Sequence, residues 1–289
     1  MIPPLIKPLV MILGTTASGK TDLALQLALA NPGAQIICAD AFQVYRGLDI
    51  GTAKLPESER QGIVHHLLDI KSPHDHFSVG EFLRCCDAII QNASGPLIFC
   101  GGTLYYLYAF LHQYEFETGP RDLVISDQLA RDAEKFGSKA MWERLSEQDP
   151  VYAQKVHPHD MKRVLRALEI IASTGRIPSA VFHASASRTD VQLIGIERPL
   201  DMMHDRINQR VLGMVDAGFV EEVQGLLAQG WGPQDQSYQA LGYADVHQYL
   251  TGDLRKSEMV ECIQLKTRQF AKRQRTWLRR FEQVDWIQI

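Results

Sequence analysis

The chain has 289 residues, of which 45% are apolar, enough for one large domain or two modest ones around a real core. A net charge of −4 excludes a globally basic nucleic-acid binder, so any surface for a polyanion must be a local patch. The five cysteines (Cys38, Cys85, Cys86, Cys100 and Cys262) form no C-x-x-C pair, and an adjacent pair at 85–86 is a poor disulfide framework.

Reduced thiols in a soluble, cytoplasmic protein without a zinc site are therefore expected. The opening "MIPPLIKP" is too short and too broken by proline for a signal peptide, and no stretch is long and apolar enough to cross a bilayer. Residues 9–13 are all apolar and read as a buried strand of a parallel sheet. A helix over 20–30 comes next, stopped by Asn31-Pro32-Gly33. "AQIICAD" (34–40) is a second buried strand ending in an acid. Residues 77–94 read as a helix capped by Ser78, and "PLIFCGG" (96–102) as a third strand running into a diglycine. This alternation argues for a parallel α/β core. From about 119 to 188 helical segments succeed one another without a strand, which suggests a helical insertion. "VQLIGIE" (191–197) restores a strand, and the remainder reads as mostly helix. The expected organisation is thus a core of 1–118 and 189–289 and an insertion of 119–188.

Between the first strand and the first helix stands Gly14-Thr15-Thr16-Ala17-Ser18-Gly19-Lys20-Thr21, which satisfies G-x-x-x-x-G-K-[ST]. Successive backbone amides wrap phosphate oxygens, glycine permits close approach, and the helix N-terminus adds positive potential. Lys20 supplies a mobile charge, and the Thr21 hydroxyl can join a Mg²⁺ shell, directly or through water. The pattern is common to nucleotide-binding and ATP-binding proteins, and it gives the fold class as a P-loop NTPase-like α/β core with a helical insertion. An ATPase or kinase of this type commonly has an acid after a later strand to hold the metal. Here that strand ends in glycine, whereas the strand immediately after the first helix leads to Asp40.

Past that acid, "ADAFQVYRGLDIGTAK" resembles the tRNA dimethylallyltransferases (isopentenyl-tRNA transferases). The resemblance continues through "HHLLDI", "CGGTLYY", "HPHDMKRVLRALEIIASTGRIPS", "DRINQRVLGMVDAGFVEEV", "YQALGY" and "TRQFAKRQRTWLRR", in the family's order over nearly the whole chain. It departs at Thr15, commonly proline in the family, and at Ala41, commonly serine. The eukaryotic relatives' C-terminal zinc finger has no counterpart. The resemblance implies a compact, bacterial-type enzyme, expected as a monomer. It would transfer a dimethylallyl group from dimethylallyl diphosphate to N6 of adenosine 37, next to the anticodon in a tRNA anticodon stem-loop.

On that reading the loop Gly14, Thr15, Thr16, Ala17, Ser18, Gly19, Lys20 and Thr21 holds the departing diphosphate. Asp40 is the base for the attacking amine, and Thr103 contacts the diphosphate region near its bridging oxygen. Arg206 and Arg210 share a helix face, and Arg210 matches the family's diphosphate ligand better, with Arg206 the alternative. The resemblance assigns tRNA contact to Asp40, Ala41, Phe42, Gln43 and Thr103, to Lys162, Arg163, Val164, Leu165 and Arg166 on the insertion, and to Gln239, Ala240, Leu241, Gly242 and Tyr243. It extends to Lys272, Arg273, Gln274, Arg275, Thr276, Trp277, Leu278 and Arg279.

The residues by themselves add that Arg268, Lys272, Arg275 and Arg279 form one helical stripe in a stretch without acids, 262–281. Ile263, Phe270 and Trp277 recur every seven residues and are expected to anchor that helix. Structural alternatives stay open: Asp40 can cap the next turn, Thr103 can cap a helix, and Gln43 and Arg210 can be solvated surface residues. Two other enzymes share parts of the pattern. A P-loop small-molecule kinase shares the loop but not the basic tail, and an adenylate isopentenyltransferase acting on free nucleotide needs neither insertion nor tail.

Overall fold

Five apolar residues in a row cannot face water on either side, and β1 (Leu9–Leu13) is buried along its whole length. The computed structural model describes residues 3–114, 122–182 and 187–288. Around β1 lie β2 (Gln35–Cys38), β3 (His65–His66), β4 (Leu97–Cys100), β5 (Val191–Glu197) and β6 (Asp285–Gln288). They form a six-stranded sheet in the order β3-β2-β4-β1-β5-β6. Every neighbouring pair is parallel. One face is covered by α1 (Lys20–Ala30), which buries Leu23, Ala24 and Leu27 against alternate residues of β1, β4 and β5. The opposite face meets α2 (Val79–Asn92), whose Ser78 cap accepts from the Glu81 amide, and α3 (Leu104–Leu111).

Contacts divide the chain into two units, one made of Met1–Leu111 and Arg188–Ile289 and the other of His112–Ser187. The second unit contains α4 (Leu123–Gln148), α5 (Pro150–Ala153), α6 (Met161–Thr174) and α7 (Pro178–Val181). Gly137 leaves the helical region (φ 80°, ψ 167°), so α4 is two helical stretches. Its core packs Leu129, Met141 and Leu145 against Val164 and Leu168. In the first unit, β5 leads into α8 (Leu200–Asp216), α9 (Phe219–Ala228), α10 (Tyr243–Leu250) and α11 (Lys256–Leu278). Two strands depart from the expected pattern. β3 is two residues inside a long connection, and β6 closes the sheet's far edge in a part of the chain that reads as mostly helix.

The carboxyl ends of β2 and β4 approach so closely that Gly101 has no room for a side chain. A Cβ there would lie 2.1 Å from the Ala39 carbonyl oxygen. The Ala39 amide donates to the Cys100 carbonyl and the Thr103 amide donates back to that of Ala39, so the diglycine turn fixes the first residues past each strand.

The connection after β2 has little regular structure and is held from below. The Lys54 ammonium, almost fully buried, binds Asp49, Asp69 and the Tyr45 carbonyl at 2.6–2.7 Å. The Glu222 carboxylate on α9 accepts from the amides of Asp49, Ile50 and Gly51 and from the Tyr243 hydroxyl. Glu222→Ala leaves those donors without an acceptor, and the expected cost is ~2–4 kcal/mol of unfolding free energy. Urea or thermal unfolding measures it, and an unchanged midpoint would contradict a structural role for this carboxylate.

Candidate active site

The loop between β1 and α1 turns on two left-handed residues, Ala17 (φ 60°) and Gly19 (φ 98°), the second being the N-cap of α1. Its carbonyls are taken up by arginines from the segment after β5. Arg198 Nε donates to Ser18 O and Arg206 Nε to Ala17 O, both at 2.8 Å. The Thr15 hydroxyl donates to Met203 Sδ. Among the described residues the buried Ser18 hydroxyl has no hydrogen-bond partner. Lys20 curls back, its ammonium 2.5 Å from the Thr15 carbonyl. Burial brings its pKa down to about 8, against the pull of the Cys100 thiol and the Asp40 carboxylate.

Asp40 stands just past the end of β2. Its Oδ1 accepts from the Phe42 and Gln43 amides at 2.9 and 3.4 Å, and its Oδ2 from the Gly102 amide at 3.3 Å. The carboxylate does cap the turn, and those bonds also fix its direction while lone-pair capacity remains for a further donor. Burial raises its pKa above the ordinary carboxylate value, although the three amides and Lys20 oppose the shift. Thr103 Oγ1 accepts from the Ala41 amide at 2.9 Å, which orients the hydroxyl beside Asp40's own turn. Arg210, half-buried on α8, shares the field of Asp40 and Arg206; burial lowers its pKa and the Asp40 carboxylate opposes. Arg206 thus ties down the phosphate loop, while Arg210 lies in the field of the Asp40 carboxylate.

Lys20, Asp40, Thr103 and Arg210 therefore gather at the carboxyl edge of β1, β2 and β4, where open α/β sheets bind ligands. Several other expected contacts are placed differently. The Gln43 amide donates to Thr52 O at 2.9 Å and accepts from Cys38 Sγ at 3.1 Å, so it ties the loop to β2 and presents no free edge to a base. Tyr243 is fully buried, Ala240 is buried and Gly242 is the left-handed N-cap of α10, which leaves Gln239 as the exposed residue of that segment, with Leu241 half-buried. Val164 lies in the core of the second unit with Leu165 packed against it, and Arg166 pairs with the buried Glu169 at 2.6 Å. Lys162 and Arg163 remain exposed.

On α11 the inward stripe is Met259, Ile263, Thr267, Ala271, Gln274 and Leu278. A buried Leu278 and Gln274 cannot offer side chains to RNA, and of the expected heptad anchors only Ile263 is fully buried. Trp277 is half-buried against Tyr105 and Tyr108. Lys272, Arg273, Arg275, Thr276 and Arg279 face solvent, and Arg268 is held by the Asn208 side chain at 2.6 Å. Arg198 lies outside the expected set, although a cation directly after a parallel strand, in "IERPL", is a readable signal at the ligand-binding edge.

A strand–loop–helix turn of phosphate-loop sequence and a buried carboxylate at one edge of a parallel sheet mark an α/β enzyme. The chain belongs to the IPP transferase family, whose model matches residues 43–281. A tRNA dimethylallyltransferase of Symbiobacterium thermophilum is 42% identical over 98% of this chain and 89% of its own. The full-length tRNA isopentenylpyrophosphate transferase of Bacillus halodurans is 38% identical with a TM-score of 0.70, covering 97% of this chain and 89% of that one. A eukaryotic dimethylallyltransferase acting on tRNA is 28% identical with a TM-score of 0.80, over 93% of this chain and 69% of that one. These relatives do not favour the kinase or the free-nucleotide prenyltransferase.

Proposed function

We propose that this enzyme transfers a dimethylallyl group from dimethylallyl diphosphate to N6 of the adenosine next to the anticodon of tRNA, releasing diphosphate. The observation that carries this reading is the pairing of Asp40, with its raised pKa, and the Lys20 phosphate loop at one sheet edge. Displacement occurs at carbon: the N6 lone pair attacks C1 of the prenyl group while the C1–O bond breaks. Asp40 takes the N6 proton, and the bonding electrons leave with the diphosphate. The loop amides, the Lys20 ammonium, the Thr103 hydroxyl and Arg210 then stabilise charge appearing on the departing oxygens. Binding of the anion gives Lys20 a better partner than the Thr15 carbonyl, and its pKa rises again in the complex.

Thr21 lies in the first turn of α1, and the carboxylate in that same turn is Asp22. One hydroxyl, a carboxylate and substrate phosphates suit Mg²⁺, which takes few protein ligands and keeps water. There it would neutralise diphosphate charge; Thr21 and Asp22 are the residues that would hold it. The target base must leave its stack for N6 to reach Asp40. The exposed face of α11 and, separately, Lys162 and Arg163 supply cations for the RNA backbone. A monomer working in the cytoplasm is consistent with these roles.

The test is incubation with dimethylallyl diphosphate, Mg²⁺ and unmodified tRNA, and then mass spectrometry of the nucleoside digest. A dimethylallyl adduct on N6 of that adenosine is expected; its absence sinks the reading. For the RNA surface, Lys272→Ala with Arg275→Ala should weaken tRNA binding by ~10-fold at low salt and reduce the salt slope by about 2. Unchanged affinity across a salt series would remove this face of α11 from the interface.

A further inference from the structure

Among the six inward residues of α11, Met259, Ile263, Ala271 and Leu278 fill space, and the Thr267 hydroxyl is satisfied within the helix by the Ile263 carbonyl. Gln274 is different. It is only 2% exposed, and both ends of its amide reach across to other elements. Its Oε1 accepts from the Thr16 amide of the phosphate loop at 2.7 Å, and its Nε2 donates to the Gly102 carbonyl at 2.9 Å. One partner is a donor and the other an acceptor, so a single orientation of the amide satisfies both. The Gly102 amide in turn donates to Asp40 Oδ2. A continuous path therefore runs from the loop amide through Gln274 and Gly102 to the carboxylate. Gly102 suits that path because a Cβ would sit 3.0 Å from Asp40 Oδ2 and 3.5 Å from Gln274 Nε2.

A polar side chain buried this deeply costs free energy unless both its ends are bonded, and a leucine would fill the space without that cost. What leucine cannot do is set the spacing between two halves of a reaction. We propose that Gln274 is a positioning residue, which holds the phosphate-loop amide and the Asp40 turn in register and ties both to the helix whose exposed face is basic. The proposal rests on the function proposed above. It makes the residue within "KRQRTW" that faces inward a link between RNA docking and chemistry, and not an RNA contact. Misplacing reacting groups by a fraction of an ångström to an ångström lowers turnover without touching substrate affinity.

The experiment compares the parent with Gln274→Leu and Gln274→Glu, using dimethylallyl diphosphate and an unmodified anticodon stem-loop RNA. Both variants are expected to lose ~10- to 100-fold in kcat, with KM for RNA within about threefold of the parent. Gln274→Glu keeps the acceptor for Thr16 but loses the donor to Gly102 and adds a negative charge near Asp40. The acid limb of its kcat–pH profile should therefore move to higher pH, since a like charge disfavours the carboxylate. Amide exchange at Thr16 should quicken in Gln274→Leu, whose side chain offers no acceptor. A raised KM for RNA at parental kcat overturns the proposal, as does parental kcat with an unshifted limb. Where Gln274→Leu does not fold, Gln274→Glu decides alone. A parent without prenyl transfer overturns both readings, whereas an active parent with those variant results overturns only this one.

Discussion

Asp40→Ala and Asp40→Asn should each lower prenyl transfer by ~10³-fold or more while tRNA binding stays within about threefold of the parent. Neither side chain can accept the N6 proton. The pair is needed because the carboxylate also accepts from the Phe42, Gln43 and Gly102 amides. Alanine deletes all three bonds, whereas asparagine's oxygen can keep those to Phe42 and Gln43. A role limited to capping predicts that asparagine recovers most of the activity; a base predicts that it recovers almost none. The pH profile separates them independently. Burial raises the Asp40 pKa, so the parent's acid limb should lie above the ordinary carboxylate value, with activity lost as pH falls through it and Asp40 protonates. That limb should vanish in Asp40→Asn. Lost RNA binding combined with normal chemistry on a minimal stem-loop would sink the assignment.

Those two carboxylate functions show why part of the site was legible in the sequence and part was not. β1, the loop and α1 announce themselves through a five-residue apolar run, bounding glycines and a lysine, all local features. Ser78 could be read as a cap because its partner, the Glu81 amide, is three residues away. β3 could not, being two residues paired to Ile36 and Ile37 across a long connection. β6 exposes three of its four residues and is a strand only because β5 supplies the hydrogen bonds. Along α11 the text is dominated by cations, and a seven-residue spacing selects Phe270 and Trp277. The buried stripe instead takes steps of three and four, through Thr267, Ala271 and Gln274. A polar Gln274 is inward because its partners lie 258 and 172 residues away in sequence, and no local pattern reports them. The same holds for Tyr243, whose hydroxyl is claimed by Glu222.

Lys20→Met should lower kcat/KM for dimethylallyl diphosphate by ~10²- to 10³-fold, yet its thermal midpoint at neutral pH should be no lower than the parent's. The two halves of this result come from one buried charge. A lysine whose pKa is brought down from 10.5 to about 8 is less well solvated as an ammonium in the folded protein than in the unfolded chain. At about 1.4 kcal/mol per pKa unit, the charged form costs the fold about 3 kcal/mol. That cost is present in full below pH 8, where both states carry the proton and stability is level, and it is relieved as pH rises towards 10.5: over that interval the unfolded chain keeps a proton that the folded lysine has lost, so stability rises with pH. Methionine removes the charge and the cost together, although it also takes one of two donors from the Thr15 carbonyl, leaving the Ser18 amide at 3.3 Å. Function requires the charge. In the free enzyme, kcat/KM for the diphosphate should decline above about pH 8 as Lys20 becomes neutral, and kcat should hold to higher pH because the bound anion restores the proton. Rate profiles for both parameters, with unfolding curves of parent and variant, check the prediction. A kcat/KM that stays level to pH 10, or a variant with both parental turnover and parental affinity, would remove Lys20 from the anion cradle.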